Sequence, residues 1–179
     1  MQLTTRPSRR QAGASLLEVL VSILILSFGM LAMAGLHAAS LRYGKMAQFR
    51  SVATQLAYDL SDRMRANSAG AVAGGYVYTA AYSATPAPVT VPGCAAPTLC
   101  TAAEIAAIDL AQWRNTARLA LPGGGVYLTQ DPGATNVMNM WVMWQDPQTA
   151  DGADLGGPCP PEAGLSDPPQ QCMFLRVAL

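Results

Sequence analysis

Few residues of this chain have the types and spacing that catalytic or metal chemistry requires. The 179 residues include one histidine, His37, and four cysteines, Cys94, Cys100, Cys159 and Cys172. The sequence contains neither His-Glu-x-x-His nor Cys-x-x-Cys, the spacings through which these residues commonly hold zinc. We therefore predict that the protein is not an enzyme and needs no metal or cofactor.

The cysteines are better suited to disulfide formation. An even number of cysteines in an exported, loop-rich region indicates disulfides, and four cysteines allow three connectivities. Proximity along the chain favours pairing Cys94 with Cys100 and Cys159 with Cys172. The second pair lies in a segment, residues 152–171, in which nine of twenty residues are Gly or Pro. A disulfide there stabilises the fold by roughly 3 kcal/mol on the chain-entropy estimate.

Acidic residues cluster around the same segment. Asp146, Asp151, Asp154 and Asp167 have the oxygen ligands that a calcium ion prefers. We favour the simpler interpretation that they are hydrated acids in a loop.

A long apolar run follows a single acidic residue near the N-terminus. Residues 19–36 carry no charged side chain, and the next charged residue is Arg42. As a helix rising about 1.5 Å per residue, this run spans roughly 27 Å, and a few flanking residues extend it to the ~30 Å of a bilayer core. Arg6, Arg9 and Arg10 precede the run, which predicts a cytoplasmic N-terminus and an exported remainder.

Glu18 heads this run. A carboxylate inside a membrane costs on the order of 2.5–3.5 kcal/mol, less near the interface, so its presence favours a partner of opposite charge. The alternative is that Glu18 lies among lipid headgroups. Three interpretations of the N-terminus follow: a plain anchor, a processed assembly subunit, or a secretory signal peptide cut after Ala34 to release a binding domain or enzyme.

Residues 11–21, Gln-Ala-Gly-Ala-Ser-Leu-Leu-Glu-Val-Leu-Val, resemble the type IV prepilin signature. The resemblance implies that residues 1–13 are a leader, that a prepilin peptidase cuts between Gly13 and Ala14, and that the new amine of Ala14 is N-methylated. It also implies that the carboxylate of Glu18 meets the amine of a neighbouring subunit in a helix bundle.

Together with a tryptophan-rich strand and C-terminal cysteines, this start is most similar to minor pilins of the PilV type, the type IV pilus modification proteins. The resemblance implies a single-pass inner-membrane protein with a periplasmic head that later enters a surface pilus. The implied partners are the prepilin peptidase, the inner-membrane assembly platform, other minor pilins, the major pilin and a tip adhesin. A pseudopilin of type II secretion is the alternative within the superfamily.

The expected helix covers residues 14–67 and changes character along its length. Residues 14–41 form its membrane or filament-core half. In residues 42–67 the apolar side chains recur every three or four positions, which predicts an amphipathic half that packs on a head. The members of this stripe are Met46, Phe49, Ala53, Leu56, Leu60 and Met64.

The remaining residues, 68–179, are expected to form an α+β head with the type IV pilin fold. Thr101 and Glu104 have capping-box spacing and predict a helix with Ile105, Ile108, Trp113 and Ala120 on one side. Residues 126–130, 137–145 and 173–179 are predicted strands of an antiparallel sheet laid on the long helix. The middle strand is apolar on both faces and should be central. The resemblance implies that a disulfide bounds the C-terminal loop.

The charge content argues against nucleic-acid binding. Only 12% of residues are charged, and the 11 basic and 11 acidic residues cancel. Removal of the leader takes three arginines and leaves a net charge of minus 3. No basic face is available to neutralise phosphates.

Overall fold

The computed structural model describes residues 13, 15–96, 99–146, 159–164, 166 and 169–179. Internal contacts divide the chain into two compact units, Met1–Tyr43 and Gly44–Leu179. Helix α1, Leu16–Ala66, contributes to both units. The predicted helix of residues 14–67 therefore forms nearly as expected, with Ala14 lying outside the described residues.

In the first unit, α1 exposes its apolar side chains. Leu16 is 84% exposed and Leu36 72%, and the large apolar side chains between them are 46–70% exposed. Within the described residues, α1 is the one helix long and apolar enough to cross a membrane by length and composition. Such a surface is stable only when lipid or other chains cover it.

The second unit is an α+β head. Its helices are the second half of α1, the short α2 at Ser68–Val72, and α3 at Ala102–Ala120. Its strands are β1 at Gly125–Asp131, β2 at Ala134–Trp144 and β3 at Gln171–Ala178. A single turn of 3-10 helix spans Pro161–Ala163. The three strands form one antiparallel sheet in the order β1-β2-β3, so β2 is central, as predicted.

The amphipathic half of α1 packs on this sheet. Ala53, Leu56, Leu60 and Met64 are buried, which confirms the predicted stripe, while Met46 and Phe49 are half-buried. The four buried residues, with Phe49 packed against them, share one core with the inner face of β2, whose buried residues are Met138, Met140, Val142 and Trp144. Trp113 of α3 is fully buried in the same core, as expected.

The face of α3 differs from the prediction. Ile105 and Ala120 are exposed, and the buried positions are instead Ala106, Leu110, Ala111, Trp113 and Ala117. A Cβ added to Gly75 would lie 3.1 Å from the Cβ of Ala106. The chain after α2 thus approaches α3 too closely for a branched side chain, and alanines form the contact surface.

The second face of β2 is covered at one end only. Met143 is buried against Tyr127, Ala163 and Cys172, whereas Val137, Asn139 and Trp141 are half-exposed. Two-sided burial, predicted from apolar residues on both faces, therefore holds only near the C-terminal end of β2.

Candidate functional site

Glu18 lies in the first turn of α1, and Ser15 immediately precedes that helix. The Oγ of Ser15 accepts a hydrogen bond from the N–H of Leu17 at 3.2 Å, and its carbonyl oxygen accepts one from the N–H of Glu18 at 2.9 Å. These bonds pair donors that a helix start leaves unsatisfied, and an acidic residue in the first turn suits the helix dipole. The local sequence therefore starts a helix with a carboxylate at its head.

The side chain of Glu18 is exposed, and the ion pairs among the described residues do not include it. The apolar surface of α1 begins at the same turn. The arrangement presents one negative charge to a neighbouring molecule at the edge of a surface that lipid or protein must cover.

Gly13 is exposed, and a Cβ added there would meet no atom within 4 Å. Ala14, the expected new N-terminus, lies outside the described residues. The described residues on either side of it, Gly13 and Ser15, are both exposed.

A polar network joins α1, α3 and the segment between α2 and α3, residues 73–101, which we call the connector. Arg63 pairs with Asp59 at 3.0 Å, as expected from their i, i+4 spacing, and also with Asp109 of α3 at 3.2 Å. The hydroxyl of Tyr76 donates to the Oδ2 of Asp109 at 2.5 Å. Burial, and then this bond to Asp109, raise the pKa of Tyr76. The hydroxyl therefore stays protonated as a donor.

Asn67 completes the network. Its Oδ1 accepts from the N–H of Gly70 and caps α2, while its Nδ2 donates to the carbonyl oxygen of Ala102 at 2.8 Å. From the sequence, Asn67 is predicted only as the end of a helix, and neither Tyr76 nor Asp109 is predicted to take part in such a network. Asp109 is an acidic residue on the side of α3 that was predicted to be buried. Its position there could have indicated that it has a polar partner.

Two disulfides crosslink segments of the head. The structure pairs Cys94 with Cys100 and Cys159 with Cys172, with Cα atoms 5.3 and 5.2 Å apart. This is the pairing of neighbours along the chain, and it leaves no cysteine for zinc.

The loop of the first disulfide is also tied to α3. The carboxylate of Glu104 accepts from the N–H groups of Ala95 and Thr101, each at 2.8 Å. The bond from Ala95, and then those from Thr101, lower the pKa of Glu104. The predicted capping box is confirmed, because the Oγ1 of Thr101 also accepts from the N–H of Glu104.

The described part of the chain contains no group of three or more metal-ligating side chains. Of the acids considered for calcium, Asp146 is buried, whereas Asp151, Asp154 and Asp167 lie outside the described residues.

Comparison with protein-family models gives two matches. Residues 36–111 match the family described as Type IV pilin Tt1218, and residues 8–34 match the prokaryotic N-terminal methylation motif. Comparisons with curated proteins and with solved structures found no match. The methylation motif spans Gly13, Ala14 and Glu18.

The architecture of a long apolar N-terminal helix, a shorter helix and a small three-stranded antiparallel sheet is the type IV pilin fold. The pilin match and the methylation motif together support a pilin subunit, a structural rather than enzymatic class of protein. The motif and the exposed apolar helix fit a membrane-anchored pilin that is processed by a peptidase and assembled with other pilins.

Proposed function

We propose that this protein is a minor pilin of the PilV type, a structural subunit that primes the assembly of type IV pili and is incorporated into them. In that role it contributes to motility and adhesion. The observation that carries the proposal is Glu18, an exposed carboxylate without an ion pair in the described chain, at the head of an exposed apolar helix.

Processing comes first in this proposal. A prepilin peptidase cuts between Gly13 and Ala14, and the amine of Ala14 is N-methylated. The exposed position of Gly13 supports access to the bond, and the match to the methylation motif supports the modification. Before assembly, residues 14–41 hold the subunit in the inner membrane as a single span, with the head in the periplasm.

Assembly then uses the charge of Glu18. Cleavage creates a positive amine at Ala14, four residues before Glu18 in the sequence. In a bundle of such helices, the carboxylate of one subunit attracts the amine of the next by roughly 4 kcal/mol at 4 Å and an effective dielectric of ~20, before desolvation is subtracted. Because the rest of this surface is apolar and non-directional, one charge pair defines the axial register.

The proposed partners follow from the same sequence of events. They are the prepilin peptidase, the inner-membrane assembly platform, other minor pilins, the major pilin and a tip adhesin. The subunit's own contribution is packing, through the exposed face of α1.

Two measurements in the native host test this function. Intact mass should show a mature chain that begins at Ala14 with an added methyl group; a chain beginning at Gly35 would indicate an ordinary signal peptide and would overturn the proposal. Deletion of the gene should remove surface pili. Loss of exoprotein secretion with normal pili would instead assign the protein to a type II secretion system as a pseudopilin.

A further inference from the structure

The head contains a cavity of about 550 Å³ beneath the connector. One wall is formed by connector residues from Tyr78 to Thr90. The other is formed by Arg114 of α3, by Gly124 and by the first two residues of β1, Gly125 and Val126. The volume lies within the usual range of small-molecule sites. The cavity is separate from the N-terminal segment to which the pilin function is assigned.

Three points hold the connector wall in place. Tyr78 exchanges backbone hydrogen bonds with Leu128 of β1, at 3.0 and 2.8 Å. The N–H of Tyr82 donates to the carbonyl oxygen of Ala163 at 2.7 Å. Farther along, the side-chain amide of Asn115 accepts from the N–H of Val89 and donates to its carbonyl oxygen, at 2.9 and 2.7 Å. The cavity is therefore a preformed feature of the head.

Among the described residues that line the cavity, Arg114 supplies the only charge. The connector contributes none, because no charged residue lies between Arg65 and Glu104 in the sequence. The guanidinium carbon of Arg114 lies 4.3 Å from the ring centroid of Tyr78, a cation–π contact that orients it. Among the described residues it has no carboxylate partner.

The other polar groups of the lining are hydroxyls. Ser83, Thr85 and Thr90 line the cavity, as does Tyr82. The hydroxyl of Tyr82 is buried and has no hydrogen-bond partner among the described residues. Burial raises the pKa of Tyr82 to about 12, so the phenol remains a neutral donor near neutral pH. Among the described residues, the lining of the cavity thus combines hydroxyl-bearing side chains with one cation and contains no carboxylate.

We propose that this cavity binds one organic carboxylate, paired with the guanidinium of Arg114. A planar guanidinium fits a carboxylate through two parallel hydrogen bonds, and one cation matches a single negative charge. The apolar part of the ligand would lie against Val126, Met143 and the proline rings of Pro86 and Pro88. The ligand is either a free organic acid or an acidic side chain of a neighbouring chain.

Benzoate, with neutral benzamide as its isostere, tests the proposal on the full mature chain in detergent micelles. Titration should shift the NMR signals of the Tyr82 ring, identified by their loss in Tyr82→Phe, in a saturable way at millimolar benzoate. We expect binding to be at least about tenfold weaker for benzamide and in Arg114→Gln, because each loses the charged pair.

Arg118→Gln is the matched control, since it removes the same charge one turn further along α3 and does not line the cavity. It should bind benzoate like the unmodified chain. If Arg114→Gln does not fold, Arg114→Lys keeps the charge without the planar fork and should bind measurably but more weakly. Absence of saturable shifts, equal binding of benzamide, or full binding by a folded Arg114 variant would overturn the proposal.

Incorporation into pili distinguishes the two sources of the carboxylate, and this arm alone rests on the proposed pilus function. If the carboxylate belongs to a neighbouring subunit, Arg114→Gln should lower incorporation, and benzoate should compete with that contact. If it belongs to a free acid, Arg114→Gln should enter pili normally, and benzoate should still bind the unmodified chain. If the protein does not enter pili, the titration in micelles still tests whether the cavity binds a carboxylate.

Discussion

The indole Nε1 of Trp113 donates a hydrogen bond to the backbone carbonyl oxygen of Leu56 at 2.8 Å. The first residue belongs to α3 and the second to the buried face of α1, 57 positions earlier in the chain. Both side chains lie in the main core of the head. This contact therefore couples the packing of α3 to the buried face of α1.

Replacement of Trp113 should be among the most damaging single changes in the head. Trp113→Ala should lower the free energy of unfolding by about 3–5 kcal/mol, because it removes a fully buried ring and leaves a cavity. Denaturant unfolding in detergent, followed by near-ultraviolet circular dichroism, measures the loss. Leu119→Ala on the same helix is the control, since Leu119 is 77% exposed and should cost little. A Trp113 variant as stable as this control would contradict the packing described.

Two buried tyrosine hydroxyls should respond oppositely to removal. Tyr76→Phe should cost roughly 1–3 kcal/mol, since the Oδ2 of Asp109 loses the hydroxyl that donates to it, while Arg63 still pairs with the Oδ1. Tyr82→Phe should be neutral or slightly stabilising, because its hydroxyl has no partner among the described residues. Thermal or denaturant unfolding of the two variants side by side checks the contrast, and equal costs would refute it.

The raised pKa values of both tyrosines predict that the protein loses stability at alkaline pH. Each has a pKa raised above the ordinary value of 10.0, Tyr82 to about 12 and Tyr76 further. The folded state then holds protons that the unfolded state releases, so this stability is present below pH 10 and is lost as the pH rises through the folded-state values. Stability measured between pH 9 and about pH 12 should fall less steeply in Tyr76→Phe/Tyr82→Phe than in the unmodified chain. Tyr58→Phe, at an exposed residue, should not change the slope.

Glu18→Ala should separate membrane insertion from assembly. The variant should insert and be processed normally, because the apolar run is unchanged, but should enter pili poorly because the docking charge is gone. Immunoblots of membrane and sheared-pilus fractions measure both properties. Glu162→Ala removes an exposed carboxylate of the head and should assemble normally. Equal incorporation of the two variants would count against the amine pairing.

The disulfide between Cys159 and Cys172 should contribute more to folding than any single hydrogen bond near it. A crosslink with a sequence separation of 13 restrains the unfolded chain by about 3 kcal/mol. The paired change Cys159→Ser/Cys172→Ser should lower stability by about this amount in denaturant unfolding. A reductant should destabilise the unmodified chain more than this variant, because the variant keeps only the crosslink between Cys94 and Cys100. Equal sensitivity of both proteins to reductant would place the stabilising crosslink at that other pair instead.

Features that depend on neighbours along the chain could be predicted from the amino-acid sequence. Periodicity predicted α1 and its stripe, the spacing of Thr101 and Glu104 predicted the start of α3, and apolar density predicted that β2 is central. The apolar run after Glu18 marked the surface that must be covered. Each of these signals lies within one helical turn, one strand or one continuous segment.

Only the tertiary structure decided the features that join distant segments. The face that α3 buries depends on its close approach to Gly75, so alanines rather than Ile105 line the contact. The network around Asp109 and the cavity at Arg114 each need two or more segments that the sequence does not place side by side. The local hydrophobic pattern indicates which side chains prefer burial. The partner of a charged group or a hydroxyl depends instead on how segments that are distant in the sequence pack together.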